Sequence, residues 1–193
     1  MPNMQTGTDA RGNSLHGWKD GKVSELTTFF HVKPGHEKLI REACHEFVSN
    51  PDRMVPEKLA QIGIHELRLV LFDNDTRFMW ITSFDTDWDP YIDDTLRLIG
   101  QQLYGTVFQH TVEAPEGIAG PDLPNQANAI KDMFNNNRET AVGFLSAFKD
   151  LTLRELWTDR RIRKAFEEVL DNPEAEVALQ HPALAPLLEV AAD

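Results

Sequence analysis

The sequence predicts an α+β fold: one antiparallel sheet laid down in the order strand, helix, strand, strand, helix, strand, followed by a C-terminal helical extension. Three observations predict it. Two alternating apolar runs joined by Asp73-Asn74-Asp75-Thr76 read as a hairpin, each flanking stretch with apolar residues at helical spacing lies between strand-like runs, and 193 residues exceed what such a unit needs. With 41% hydrophobic and 26% charged residues the chain has ordinary globular composition, so most of it is expected to fold.

Residues 1–22 mix Gly, Asn, Thr, Asp and Gln without periodicity and read as a flexible N-terminal arm, with Trp18 as a bulky ring that docks either on the core or on a partner. Residues 24–32 (SELTTFFHV) are rich in β-branched and aromatic side chains and stop at Lys33-Pro34-Gly35, which gives a strand ended by a turn. Over 36–48, Leu39, Ile40, Ala43, Cys44, Phe47 and Val48 recur at helical spacing, and Asn50-Pro51 ends that helix. A short helical stretch follows over 56–62.

The hairpin pairs 64–72 (IHELRLVLF) with 77–84 (RFMWITSF). With Asn74-Asp75 at the turn, counting back sets Phe72 opposite Arg77, Leu69 opposite Trp80, Arg68 opposite Ile81 and Glu66 opposite Ser83. One face then carries Leu67, Leu69, Leu71, Phe78 and Trp80 and belongs to the core. The other carries Glu66, Arg68, Val70, Met79, Ile81 and Ser83, too apolar to be left wet, so a second subunit, the C-terminal helices or a ligand is expected to cover it.

Asp89-Pro90 opens the second long helix, with Asp89 as N-cap and Tyr91, Ile92, Thr95, Leu96 and Ile99 as its buried stripe. Residues 104–112 (YGTVFQHTV) read as the fourth strand, which completes the βαββαβ order of a ferredoxin-like sheet over 23–114. A Pro/Gly-rich loop after Glu113 marks the boundary, and 115–193 read as linker and helical extension packed on the same domain. There, Ile130, Phe134, Phe144 and Phe148 belong to helical spacing, and Thr152 with Glu155 forms a capping box flanked by Leu151 and Leu156. The stripe runs on to Asn172-Pro173, after which an Ala- and Pro-rich tail reads as a partly docked arm.

The chemistry-bearing group of most interest is His65, Glu66 and Arg68 on one strand, because charge on an apolar strand needs a partner. Arg68 either pairs with Glu66 for structure or holds an anionic group of a ligand, for which a guanidinium fork is suited. His31, His65 and His110 fall on or near strands without a spacing that specifies a metal, and no metal site is expected. The run Asp85-Thr86-Asp87-Trp88-Asp89 opens like a calcium loop, but Pro90 stands where Gly is required and Leu96 where the bidentate Glu belongs. Cys44 falls in a helix's apolar stripe, the place of an inert thiol.

A net charge of -12, from 31 acidic and 19 basic residues, repels phosphate backbones and anionic lipid, so neither nucleic acid nor membrane is expected as a partner. One cysteine makes no internal disulfide, and no stretch has the character of a signal peptide or membrane span, so the cytoplasm is the expected address.

The residues His65-x-x-Arg68 followed by Phe84-Asp85-x-x-Trp88-Asp89-x-Tyr91-Ile92-Asp93-Asp94 resemble a little-characterised bacterial group of the dimeric α/β-barrel superfamily, related to modules found beside peroxidase-type domains. The resemblance runs over about 24–113. It implies a homodimer with facing sheets and a small apolar or anionic ligand, with oxidative chemistry of peroxidase or monooxygenase type and haem as a cofactor the superfamily allows. On that expectation Arg68 orients the anionic group, His65 or His110 is the acid/base or haem ligand, and Glu66, Val70, Met79, Ile81 and Ser83 line the pocket. The competing expectation is a non-enzymatic binding or assembly module acting through the sheet face and the C-terminal helices.

Overall fold

The computed structural model describes residues 3–4, 7–8, 14–15, 18–50, 56–139 and 141–191. They form an α+β arrangement in two compact units, Met1–Arg154 and Glu155–Asp193. The strands are β1 (Asn3–Met4), β2 (Gly7–Thr8), β3 (Ser14–Leu15), β4 (Trp18–Asp20), β5 (Val23–His31), β6 (Ile64–Phe72), β7 (Arg77–Phe84) and β8 (Arg138–Glu139). The helices are α1 (Glu37–Ser49), α2 (Pro56–Ile62), α3 (Trp88–Leu103), α4 (Ala127–Asn137), α5 (Leu153–Leu170), α6 (Glu176–Leu179) and α7 (Ala185–Ala191).

The main sheet is antiparallel with strand order β1-β4-β5-β7-β6, and β8 pairs with the outer edge of β5. Among the described residues, β2 and β3 pair only with each other. Part of the expected N-terminal arm therefore adds to the sheet: Lys19 and Asp20 turn back on Ser24 and Val23 through Gly21, whose φ of +62° is open to glycine. The side chain of Trp18, like Pro51, lies outside the described residues.

The hairpin holds the counted register from Phe72↔Arg77 through Glu66↔Ser83. Asp73, Asn74 and Asp75 all have positive φ, and Thr76 N–H closes the turn on the Asp73 carbonyl at 3.2 Å. Arg41 of α1 grips the Asp75 carboxylate with two nitrogens and so ties the turn to the helix.

The expected fourth strand over 104–112 is not a strand. Tyr104, Val107 and Phe108 continue inward from the end of α3 as helical turns, with a 3₁₀ turn at Phe108–His110, and only a single bridge, Val32↔Thr111, touches the sheet. Its β-branched and aromatic residues are there for burial. Phe108 lies among Phe30, Phe78, Trp80, Tyr104 and Phe134 at ring separations of 5.2–5.6 Å, which a strand alternating its side chains could not supply from both Tyr104 and Phe108 together with Val107. α3 also starts earlier than expected, with Asp87 as N-cap and Pro90 still inside the first turn, where its missing N–H leaves no bond unmade.

Nor does the loop after Glu113 separate domains. Ile118, Leu123, Ile130, Met133 and Phe134 are buried in the same core as β5, β7 and α3, and Lys131 bridges Asp89 and Asp93 of α3 at 3.0 and 2.8 Å. The second unit begins at Glu155. Its described residues include no buried side chain, and the expected tail arm is instead α6 and α7 joined by 3₁₀ turns. On α1 the buried stripe is narrower than the spacing suggests, because Leu39 and Val48 are exposed. Among the described residues, no helix is long and apolar enough to cross a membrane.

Candidate functional site

The side chains of β5, β7 and β6 that face away from the core form a grid, because the β5–β7 ladder and the β6–β7 ladder from Glu66 to Phe72 run in continuous register. Its first row is Glu25, Ser83, Glu66; its second is Thr27, Ile81, Arg68; its third is Phe29, Met79, Val70; its fourth is His31, Arg77, Phe72. The first two rows are mainly polar, the third is wholly apolar, and His31 and Arg77 return polar groups in the fourth.

A segment of the first unit, Ala141 to Phe144, lies over the two polar rows and encloses with them a hollow of about 250 Å³. Two backbone ties hold this strap: Ser146 N–H donates to the buried Asp20 carboxylate at 3.1 Å, and Lys22 N–H donates to the Lys149 carbonyl. Gly21 runs so close to that carbonyl that a Cβ there would stand 2.1 Å from its oxygen, so only glycine fits.

Of the expected site residues, the structure brings Glu66, Arg68, Ile81 and Ser83 into the hollow. Arg68 and Glu66 are 65% and 70% exposed and stand 3.8 Å apart, beyond a hydrogen bond, so their pairing contributes little and leaves the guanidinium fork open to a ligand. Glu25 and Thr27, which the sequence reading missed, complete the floor, the Thr27 hydroxyl donating to the buried Glu25 carboxylate at 3.1 Å. Their signal was the alternation of β5, legible only once β5 is known to pair with β7. Val70 and Met79 lie one row beyond the hollow and do not line it.

His65 and His110 are not in the hollow either. The ladder slips by one residue between Ile64 and Glu66, and this bulge takes His65 out of the alternation and aims its Nε2 at Asp85. That pair is largely buried, with side chains 13% and 7% exposed, and the second Asp85 oxygen accepts the N–H of Leu153, the first residue of α5, at 2.6 Å. Gly63 makes room for it: with φ +77° it brings its α-carbon against Asp85, where a Cβ would meet the Asp85 Cβ at 3.1 Å. His110 lies beyond the opposite end of β5, against His36. Its pKa is held below the usual 6.5, first by burial and then by the nearby charges of His36 and Lys33.

A haem does not fit the hollow. The described lining offers no His, Cys, Met or Tyr as axial ligand, and the volume suits a molecule of amino-acid size. Among the described residues no group of three or more His, Cys, Asp or Glu is placed to hold a metal ion. Cys44 is half-buried against the core, and burial pushes its thiol up to about 12.

Compared with known proteins, the chain matches no family model, no curated protein and no solved structure.

Proposed function

We propose that this protein binds a small amphipathic carboxylate, anionic or zwitterionic, in the hollow between the outer sheet face and residues 141–144. The observation that carries this is the second grid row: an open guanidinium fork on Arg68 beside the apolar Ile81, roofed by Phe144. A carboxylate accepts two N–H bonds from Arg68, an ammonium on the same ligand meets Glu66, and the hydrocarbon part lies on Ile81 and Phe144. For an open hollow of this size the dissociation constant is on the order of 100 µM.

The described lining holds two carboxylates, Glu25 and Glu66, but no histidine, cysteine, methionine or tyrosine for the oxidative chemistry expected from the resemblance, so the reading put forward is ligand binding. The test compares three ligands of one skeleton, phenylpropionate, phenylalanine and phenethylamine, by calorimetry. The two carboxylates bind and the amine does not, and Arg68→Met removes binding while the urea midpoint stays in place. Binding of the amine alone, or of all three equally in Arg68→Met, would overturn it.

A second reading is favoured by the third grid row. Phe29, Met79 and Val70 are only half-buried, and a second copy laid on this row would cover them as the paired sheets of a homodimer. In that reading β5, β7 and β6 are the contiguous part of a ferredoxin-like sheet whose fourth position is filled by β4, β8 and the Thr111 bridge. Met79→Glu then shifts light scattering from dimer to monomer. We place the protein in the cytoplasm, which fits a lone, core-packed thiol.

A further inference from the structure

The corner where β5 ends gathers titratable groups that the hollow does not use. His36 stands at the N-terminal end of α1, its carbonyl accepting the Ile40 N–H at 2.9 Å, and His110 ends the 3₁₀ turn after α3. Their Nδ1 atoms are 3.0 Å apart and their ring centroids 5.2 Å apart.

Those two distances decide what lies between the rings. A ring radius added at each end of the nitrogen contact accounts for nearly the whole centroid separation, so the two Nδ1 atoms lie close to the line joining the rings. That is the geometry of N–H···N, one Nδ1 donating and the other accepting. A shared metal ion would need both lone pairs to converge on a third point, which brings the centroids closer at the same nitrogen separation.

The proton count follows. A first added proton settles on the Nε2 of the donor ring and leaves the N–H···N bond in place. A second must take the accepting Nδ1, so that two N–H groups face each other. It would also place positive charge near the Lys33 ammonium and at the positive end of the α1 dipole. The carboxylates of this corner are engaged elsewhere: Glu37 accepts the Gly35 N–H at 3.3 Å, and Glu113 is held by His31, by its Nδ1 at 2.7 Å and by its backbone N–H. Lys33 Nζ donates to the Gln109 carbonyl at 2.8 Å.

We propose that the His36–His110 pair is a proton-operated clasp: closed while one proton lies between the rings, opened by the second added proton, and on opening it releases the turn 33–36 and the start of α1 from residues 108–110. The lowered pKa of His110 agrees in sign. At His110 the folded state takes up its proton less readily than the unfolded chain, so the stability this group contributes declines as pH falls through about 6.5 and levels off below the native value.

The test is ring-resolved NMR titration of the intact chain, with exchange of the Lys33 amide, which donates to the His110 carbonyl at 2.9 Å, as the mechanical readout. The pair titrates in two steps separated by roughly one pH unit or more, and Lys33 exchange, corrected for its intrinsic pH dependence, speeds up about tenfold across the second step. In His36→Gln, His110 titrates in one step and the acid-induced rise at Lys33 disappears; His110→Gln gives the reciprocal reading should the first variant not fold. Independent single-step titration of both rings in the wild type, or a Lys33 amide indifferent to the second step, would overturn the clasp.

Discussion

His65 and Asp85 meet because the β6–β7 ladder slips by one residue between Ile64 and Glu66. Without the slip His65 would lie on one face of the sheet by alternation; with it, the imidazole turns to the end of β7 and caps a carboxylate that also receives the Leu153 N–H. The bulge thus links the sheet to the first residue of α5.

Removing either partner leaves the other largely buried without its mate. Asp85→Ala is expected to cost about 3 kcal/mol in urea unfolding and His65→Ala a comparable amount. The double variant should lose clearly less than the sum, since the two share a contact that either single change already removes; full additivity would show that the pair is not coupled.

Both tyrosines of the chain, Tyr91 and Tyr104, are buried, and burial raises their pKa far above the usual 10. The Tyr104 hydroxyl is bonded to Thr95 at 2.6 Å and the Tyr91 hydroxyl to Thr82 at 3.4 Å. With native values above the unfolded value, their contribution to stability is complete below about pH 10 and is lost as pH rises beyond it. Tyrosinate absorbance should therefore appear together with unfolding in an alkaline titration. Its appearance while far-ultraviolet dichroism is still native would show that a tyrosine is accessible.

Cys44 should be slow towards thiol reagents. A thiol pushed up to about 12 is almost entirely protonated at pH 8, so disulfide-exchange labelling of the folded protein is expected to run about a thousandfold slower than labelling in denaturant. Rapid native labelling would mean that α1 opens readily.

Phe134 tests the place of α4 in the fold. Its ring lies within 5.2–6.3 Å of Phe30, Trp80, Trp88, Tyr104 and Phe108, so Phe134→Ala should cost about 3–5 kcal/mol, as much as Phe30→Ala. A chain ending at Glu113 should lack a cooperative urea transition, because it would expose that whole cluster. A small effect in both would restore the boundary that the Pro/Gly-rich loop suggests.

The hairpin was legible in advance because one of its faces is apolar at every second residue and its turn residues accept positive φ. The helices over 37–49 and 88–103 followed from spacing for the same reason. The segment 104–112 was not legible: Val, Thr, Tyr and Phe favour strands locally, and the demand of the core for Phe108 outweighed that preference. The hairpin's share of the hollow was readable, since Glu66, Arg68, Ile81 and Ser83 lie on one of its faces. Glu25, Thr27 and the strap over 141–144 come from distant parts of the chain, and the bulge that removes His65 depends on Gly63 and Asp85 meeting in space.

On the reading proposed above, the covered end of the outer sheet face holds a carboxylate. Backbone amide shifts mapped by NMR during titration with phenylpropionate test it most directly. Saturable shifts are expected at Arg68, Ile81, Ser83 and Gly143 and none at Phe72 or Arg77, at the far end of the same grid. Shifts confined to that far end, or no saturable shift at Arg68, would contradict it.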